Sequence, residues 1–280
     1  MTTIGLINPG AMGASVGAAA RHNGARVIWA SEGRTGDTKE RAENAQLEDC
    51  RTIKNLVAKS DIVLSVCPPH NAMAVAKEVA NQGFSGLYLE GNAIAPDHTR
   101  QIESVISKQG ARFIDGGIIG GPAWKTEYGT RLYLSGDDAQ AIADVFDGSK
   151  LQASVISTRI GAASALKMTF AAFTKGSTAL LSAILAVAEK EGVRGNLEAQ
   201  WGEPFTATTH QRVVGNTAKA WRFEGEMREI AATFSGAGLP AGFHLAAEQV
   251  FASLAVYKDQ ENSPTIDEVL ATLLEPLSDA

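Results

Sequence analysis

Short apolar runs and helix-spaced stretches alternate through the first half of the chain. Thr3-Ile4-Gly5-Leu6-Ile7 is an apolar run that ends in Asn8-Pro9-Gly10-Ala11-Met12-Gly13, Ala14 to Asn23 reads as a helix, and 25–29 form a second run. This reads as strand, glycine turn, helix, strand. Asp37 with Glu40 three positions on predicts an acid-capped helix start. The continuously apolar run at 61–66 has the composition of a parallel strand buried on both faces. Further strands are predicted at 86–90, 111–115 and 128–135, and helices at 97–109 and 138–146.

From residue 160 the pattern changes. Residues 160–191 read as one long helix, small and apolar on nearly every side and free of proline. Beyond it the chain is helix-rich and strand-poor: 196–202, one or two helices in 206–234, a helical spacing of Leu239, Phe243, Ala247, Val250 and Leu254, and a last helix from Ser263-Pro264 to about Leu274. The expected architecture is α/β: a doubly wound parallel sheet over 1–158, then an all-α domain over 159–280 that begins with the long interdomain helix.

Composition narrows the function classes. The 280 residues are 45% hydrophobic and 20% charged, with a net charge of −6 and no basic run. Neither nucleic acid nor an anionic membrane is an expected partner. Cys50 and Cys67 make no metal spacing and no disulfide framework, and the N-terminus enters a strand pattern without a signal-like segment, which together predict a cytoplasmic protein. No metal site is expected. The long helix is the one transmembrane candidate, but Lys167, Lys175 and Glu189 divide it, and the clean run from Gly176 to Ala188 is shorter than the roughly 20 residues of a span.

The candidate chemistry starts at the turn Asn8-Pro9-Gly10-Ala11-Met12-Gly13. A dinucleotide site needs a tight turn, bare backbone beside the pyrophosphate and a helix N-terminus aimed at it. Gly10 and Gly13 suit the last two needs. Asn8 replaces the first glycine of the usual G-x-G-x-x-G, and asparagine tolerates left-handed backbone. At the end of the second strand, where NAD sites place an acid, stands Ala30, followed by Ser31 and Arg34. Those two are expected to hold a 2′-phosphate, so the predicted cofactor is NADP. Cys67, Pro68 and Asn92 follow strand ends and are expected to face the cofactor. A second glycine cluster, Gly116 to Gly121, would offer backbone N–H groups to an anion, with Trp124 close by.

Lys167 lies early in the long helix among Ala163, Ala165, Leu166, Met168 and Phe170, either snorkelling to the surface or managed for chemistry. With the turn, the post-strand Cys67-Pro68-Pro69 and the glycines after Asp115, the order of features resembles the β-hydroxyacid dehydrogenase superfamily, which includes 6-phosphogluconate and 3-hydroxyisobutyrate dehydrogenases. It is most similar to its branch of oxidoreductases with a phosphogluconate-dehydrogenase-like C-terminal part. The family's D-x-x-x-S-G-G segment corresponds to residues 115–121, and its G-x-G-x-x-x-K-x-x-x-N segment to 161–171. Gly120, Gly121, Gly161 and Lys167 match, while Ile119, Ala163 and Ala171 replace the family's serine, second glycine and asparagine.

The resemblance implies a Rossmann domain, Lys167 as general acid–base, Gly120 and Gly121 at the substrate, and a homodimer with its site between domains. Because the replaced polar residues hold the substrate in the family, the small-molecule substrate stays open. In the second half Trp201, His210, Trp221, Glu226, Met227 and His244 have site potential. His210 is the expected substrate contact, since some polar group must meet the substrate. The family's Lys-Asp pair is not expected near Glu226 and Met227. Three functions compete: an NADP-dependent oxidoreductase on a small hydroxy acid or related alcohol/carbonyl pair, an imine reductase, in whose relatives the lysine is typically replaced, and a non-catalytic NADP-binding sensor.

Overall fold

Strand-forming residues in short runs of two to eight, most of them separated by helices, build the first part of the computed structural model, which describes residues 1–125, 127 and 129–275. β1 (Thr3–Leu6), α1 (Ala11–Ala20), β2 (Arg26–Trp29), α2 (Gly36–Asn44) and the two-residue β3 (Glu48–Asp49) come first. They are followed by α3 (Ile53–Lys59), β4 (Ile62–Ser65), α4 (Ala72–Asn81), β5 (Leu87–Glu90), α5 (Pro96–Ser107) and β6 (Arg112–Ile119). β7 (Arg131–Ser135), α6 (Ala139–Val145) and β8 (Gln152–Ser157) complete one eight-stranded sheet of order β3-β2-β1-β4-β5-β6-β7-β8. All neighbours are parallel except β6 and β7. The order reverses between β1 and β4, so the carboxyl ends of these two strands open a ligand crevice. One apolar layer, with Ile4, Leu6, Val27 and Leu64, covers one face of the sheet, and a second, with Ile7, Ile28, Val63 and Tyr88, covers the other.

Several expectations shift. α1 begins at Ala11 rather than 14, so the glycine turn leads straight into helix. The cap of α2 is Thr35, whose hydroxyl accepts from Thr38 N–H, while Asp37 stands in the first turn. β6 runs on through Gly116, Gly117, Ile118 and Ile119, paired with β7 from Asp115↔Ser135 to Ile119↔Arg131. Four of the six residues of the expected glycine cluster, Gly116 to Ile119, are therefore strand, because the ladder to β7 satisfies their backbone. Of the strand expected at 128–135, Arg131–Ser135 is strand, Gly129 and Thr130 precede it without regular structure, and Tyr128 lies outside the described residues.

The chain folds as two compact units, Met1–Met168 and Thr169–Ala280. α7 (Ala162–Ala171) crosses that division, and the predicted long helix continues through a π-helical turn, Ala172–Gly176, into α8 (Ser177–Lys190). The turn interrupts the ladder where side chains compete for carbonyls. Thr174 Oγ1 donates to Phe170 O at 3.1 Å, Thr178 Oγ1 to Thr174 O at 2.8 Å, and Arg212 Nη2 to Thr174 O at 2.5 Å. Together these make a helix of 29 residues, long and apolar enough to cross a membrane by length and composition. Its polar groups are nonetheless answered by protein: Lys175 pairs with Glu226 at 2.6 Å, and Ser182 Oγ donates to Thr178 O.

The second unit continues with α9 (Arg194–Trp201), α10 (Glu203–Asn216), α11 (Ala220–Gly236), α12 (Gly242–Ser253) and α13 (Ile266–Leu274). The last helix is started by Thr265 in a reciprocal capping box with Glu268, rather than by Ser263-Pro264. Met227 is buried, Trp201 packs edge-on against Phe205, Lys258 lies over Trp221, and His244 is buried against Phe234 and Phe243.

Candidate active site

The turn after β1 is built by two short backbone bonds, Gly10 N–H to Asn8 O at 2.9 Å and Ala14 N–H to Gly10 O at 2.8 Å. The second is the first bond of α1, so the N–H groups of Ala11, Met12 and Gly13 are the open donors of the helix start. α1 carries no side-chain cap and no acid in its first turn. A Cβ on Gly13 would sit 2.1 Å from Asn8 O, which is why only glycine lets the helix lie this close to the turn. Around Gly10 the nearest neighbour of such a Cβ is Asn8 Nδ2 at 3.7 Å, leaving bare backbone facing outward. Open donors, a positive helix end and no competing acid fit a pyrophosphate. Pro9 is buried beneath the turn, and Ser15 Oγ ties Met12 O to the backbone of Ala123.

Arg34 reaches this turn from the loop after β2. Its guanidinium donates to Asn8 Oδ1 at 3.4 Å and to Ile7 O at 3.3 Å. Around it lie two adjoining pockets of about 480 and 500 Å³, lined among others by Ala30, Glu32, Arg34 and Lys54, and by Ser31, Lys39, Arg51 and Thr52. Four cations, against the two acids Glu32 and Glu78, thus surround the place where the second ribose of a dinucleotide is held in this fold. Ser31 is differently engaged than its sequence position predicts, because it hydrogen-bonds Asp49 on the neighbouring strand β3. Burial raises the Asp49 carboxyl, but the bonds from Ser31 and Arg51 outweigh it and hold the group below its usual range. Asp49 and Arg51 escaped the sequence reading because a two-residue strand has no periodicity to detect.

At the end of β4, Cys67 N–H donates to Asn92 Oδ1 at 2.5 Å, and Asn92 Nδ2 donates to Ser65 Oγ at 3.1 Å. Asn92 is buried and braces the β4 and β5 ends together, while Pro68 stands exposed on the lip. Burial pushes the Cys67 thiol up to about 12, so it is an inert thiol at neutral pH.

Lys167 is placed by two devices on β6. Asp115 is buried and accepts four bonds: from Ser135 Oγ at 2.9 Å, Gly161 N at 2.9 Å, Ser164 N at 3.1 Å and Ser164 Oγ at 2.5 Å. It caps the start of α7 from below, although burial still raises its carboxyl above the usual range. The family segment led to a substrate role for this region, and Asp115 itself is a helix anchor. Gly117 supplies the second device. A Cβ there would meet Ala163 O at 2.5 Å and Lys167 Cβ at 3.1 Å, so α7 rests directly on the strand backbone beneath the lysine. Lys167 is half-buried, not enclosed.

Gly120 and Gly121 follow β6 and are held by Thr130, whose hydroxyl donates to Gly121 O at 2.7 Å. Trp124 is 39% exposed, and its carbonyl accepts from Lys150 Nζ at 2.9 Å. His210 belongs to the second unit, where its Nε2 shares Glu198 Oε1 with Arg194, each at 2.8 Å. That pairing gives His210 a structural partner the sequence did not reveal. Lys175 and Glu226 form a largely buried ion pair over the Phe223 ring, an acid–lysine pair from two helices rather than from neighbouring residues. Among the described residues no cluster of His, Cys, Asp or Glu could hold a metal ion.

Strand order, glycine turn and crevice define a dinucleotide-binding domain of Rossmann type. The chain belongs to the family described as the NAD-binding domain of 6-phosphogluconate dehydrogenase, whose model matches residues 3–148. Residues 188–254 match a domain of unknown function (DUF1932). An uncharacterised 28.5 kDa protein of Methanothermus fervidus is 30% identical over 203 residues, 71% of this chain and 78% of that one. In fold, the chain is similar to 3-hydroxyisobutyrate dehydrogenase of Mycobacterium tuberculosis, at 17% identity over 98% of this chain and 99% of that one, TM-score 0.69. It is also similar in fold to an imine reductase from Myxococcus stipitatus in complex with NADP+, at 19% identity over 98% and 100%, TM-score 0.56.

Proposed function

We propose that this protein is an NADP-dependent oxidoreductase that moves a hydride between nicotinamide and a small hydroxy acid or a related alcohol/carbonyl pair, with Lys167 as general acid–base. The observation that carries the reading is the seat of Lys167: a lysine fixed on a helix that is capped by a buried acid and laid against a glycine of the crevice sheet. The hydride chemistry belongs to the nicotinamide when it is bound. The chain's own part is to bind the pyrophosphate at the start of α1, hold the 2′-phosphate with Arg34 and the neighbouring Lys39, Arg51 and Lys54, and move one proton at Lys167 Nζ. In oxidation Nζ accepts the proton of the substrate hydroxyl, and in reduction it returns a proton to the carbonyl oxygen. Gly120, Gly121 and Trp124 line the approach to that lysine in this proposal. His210 is left to its pairing with Glu198. Likeness in fold to imine reductases supports a second reading, imine reduction, and Lys167 speaks for the first. A non-catalytic NADP-binding sensor is the third, and turnover with a panel of hydroxy acids, aldehydes and imines separates them.

Nicotinamide fluorescence of the purified protein with NADPH and NADH, followed by turnover of the Lys167→Met variant, tests the proposal. NADPH is expected to bind more tightly than NADH. The variant is expected to keep that binding and to lose roughly 10²- to 10⁴-fold in turnover, the usual worth of a general acid–base group. Equal affinity for both cofactors removes the NADP assignment, and unchanged turnover removes Lys167.

A further inference from the structure

Glu90 ends β5 with its side chain fully buried in the middle of the sheet. One carboxyl oxygen, Oε1, accepts from Asn92 N–H at 3.1 Å, and the other, Oε2, is buried with no hydrogen-bond partner, as is the nearby Tyr88 hydroxyl. Asn92 in turn holds Cys67 N–H and Ser65 Oγ. A single chain of bonds thus runs from a buried acid to the backbone after β4, at the rim of the crevice where the strand order reverses. The titratable groups facing Glu90 are Tyr88 on its own strand, Cys67 beyond β4 and Asp115, its register partner on β6. None of them is a cation that would pair with a carboxylate.

We propose that Glu90 is a positioning residue of the cofactor crevice: as a neutral acid it holds Asn92, and through Asn92 it sets the Ser65 side chain and the Cys67 backbone against which the cofactor binds. Ionised in this place, the carboxylate faces Asp115 and Cys67 without a counter-charge. The Asn92 and Tyr88 groups beside it ease that charge but do not offset its burial, and the remaining relief is water admitted by parting the β4 and β5 ends, which undoes the brace. Burial holds the carboxyl up to about 8, with Asp115 adding to the effect, so the neutral form prevails at pH 7. The inference rests on the NADP reading of the crevice.

The test is NADPH affinity, read by nicotinamide fluorescence at pH 7 and pH 9, for the wild type, Glu90→Gln and Asn92→Ala. If only the neutral form is competent, the competent fraction falls to about one-tenth at pH 9, so the wild-type dissociation constant rises about tenfold. Glu90→Gln, which keeps an acceptor for Asn92 and has no proton to lose, is expected to show the same affinity at both pH values. Asn92→Ala cuts the link, binds more weakly and also shows no pH dependence. A tenfold rise that persists in either variant overturns the proposal, as does a wild type that binds equally well at pH 7 and pH 9. A wild type that binds neither NADPH nor NADH at pH 7 overturns the cofactor reading, and this inference with it.

Discussion

Glu90 has a thermodynamic consequence of its own. Its folded-state carboxyl titrates at about 8 against 4.5 for the free side chain, because burial favours the neutral acid. A folded value raised in this way contributes stability that is fully present below about pH 4.5 and lost as pH rises through about 8. Within that window the loss runs at about 1.4 kcal/mol per pH unit for this one group. Thermal melting of the wild type and Glu90→Gln at pH 5 and pH 8 checks the sign: relative to the wild type, the variant is expected to be more stable at pH 8 than at pH 5. A difference that does not change with pH refutes the buried neutral acid. The signal was present in the sequence as a charged residue closing an apolar strand, Gly86-Leu87-Tyr88-Leu89-Glu90. Periodicity does not distinguish an end-of-strand acid in solvent from one at 0% exposure.

At the level of the element, α7 and β6 act as one piece. The strand supplies Asp115 to the start of the helix and Gly117 to its underside, so the position of Lys167 follows from the strand as much as from the helix. Gly117→Ala places a methyl 2.5 Å from Ala163 O, a backbone atom that cannot turn aside. The substitution is expected to cost about 1–3 kcal/mol, as over-packing does, and to reduce turnover beyond what the altered stability explains, because α7 must shift and Lys167 with it. Urea unfolding together with steady-state kinetics measures both, and a fully stable, fully active Gly117→Ala protein rules out the direct contact. The helix itself was legible from its apolar run. The π-helical turn at Ala172–Gly176 was not, because its carbonyls also take bonds from Arg212, a residue far along the chain that donates to Phe173 O and Thr174 O.

For the whole molecule, the resemblance to β-hydroxyacid dehydrogenases led to a homodimer, and we retain it as a proposal. On α8, Leu180 and Val187 stand two turns apart on one face and are 44% and 61% exposed, with Phe173 on the π turn at 70%. Large apolar side chains in such a row call for cover. Light scattering of the protein in solution is expected to give twice the chain mass. The double variant Leu180→Asp/Val187→Asp is expected to shift it to the monomer, and a monomeric wild type ends the proposal.

By itself the sequence determined the α/β class, the glycine turn at Asn8–Gly13, the long apolar helix and the lysine on it. All of these are local: side-chain period and glycine placement act within a few residues. Tertiary structure alone decided what the polar residues do. Asp115 became a helix anchor, Asn92 a brace, Ser31 a partner of Asp49 and His210 a partner of Glu198, in each case because a buried or half-buried polar group takes the donor or acceptor the fold brings to it, however distant in the chain.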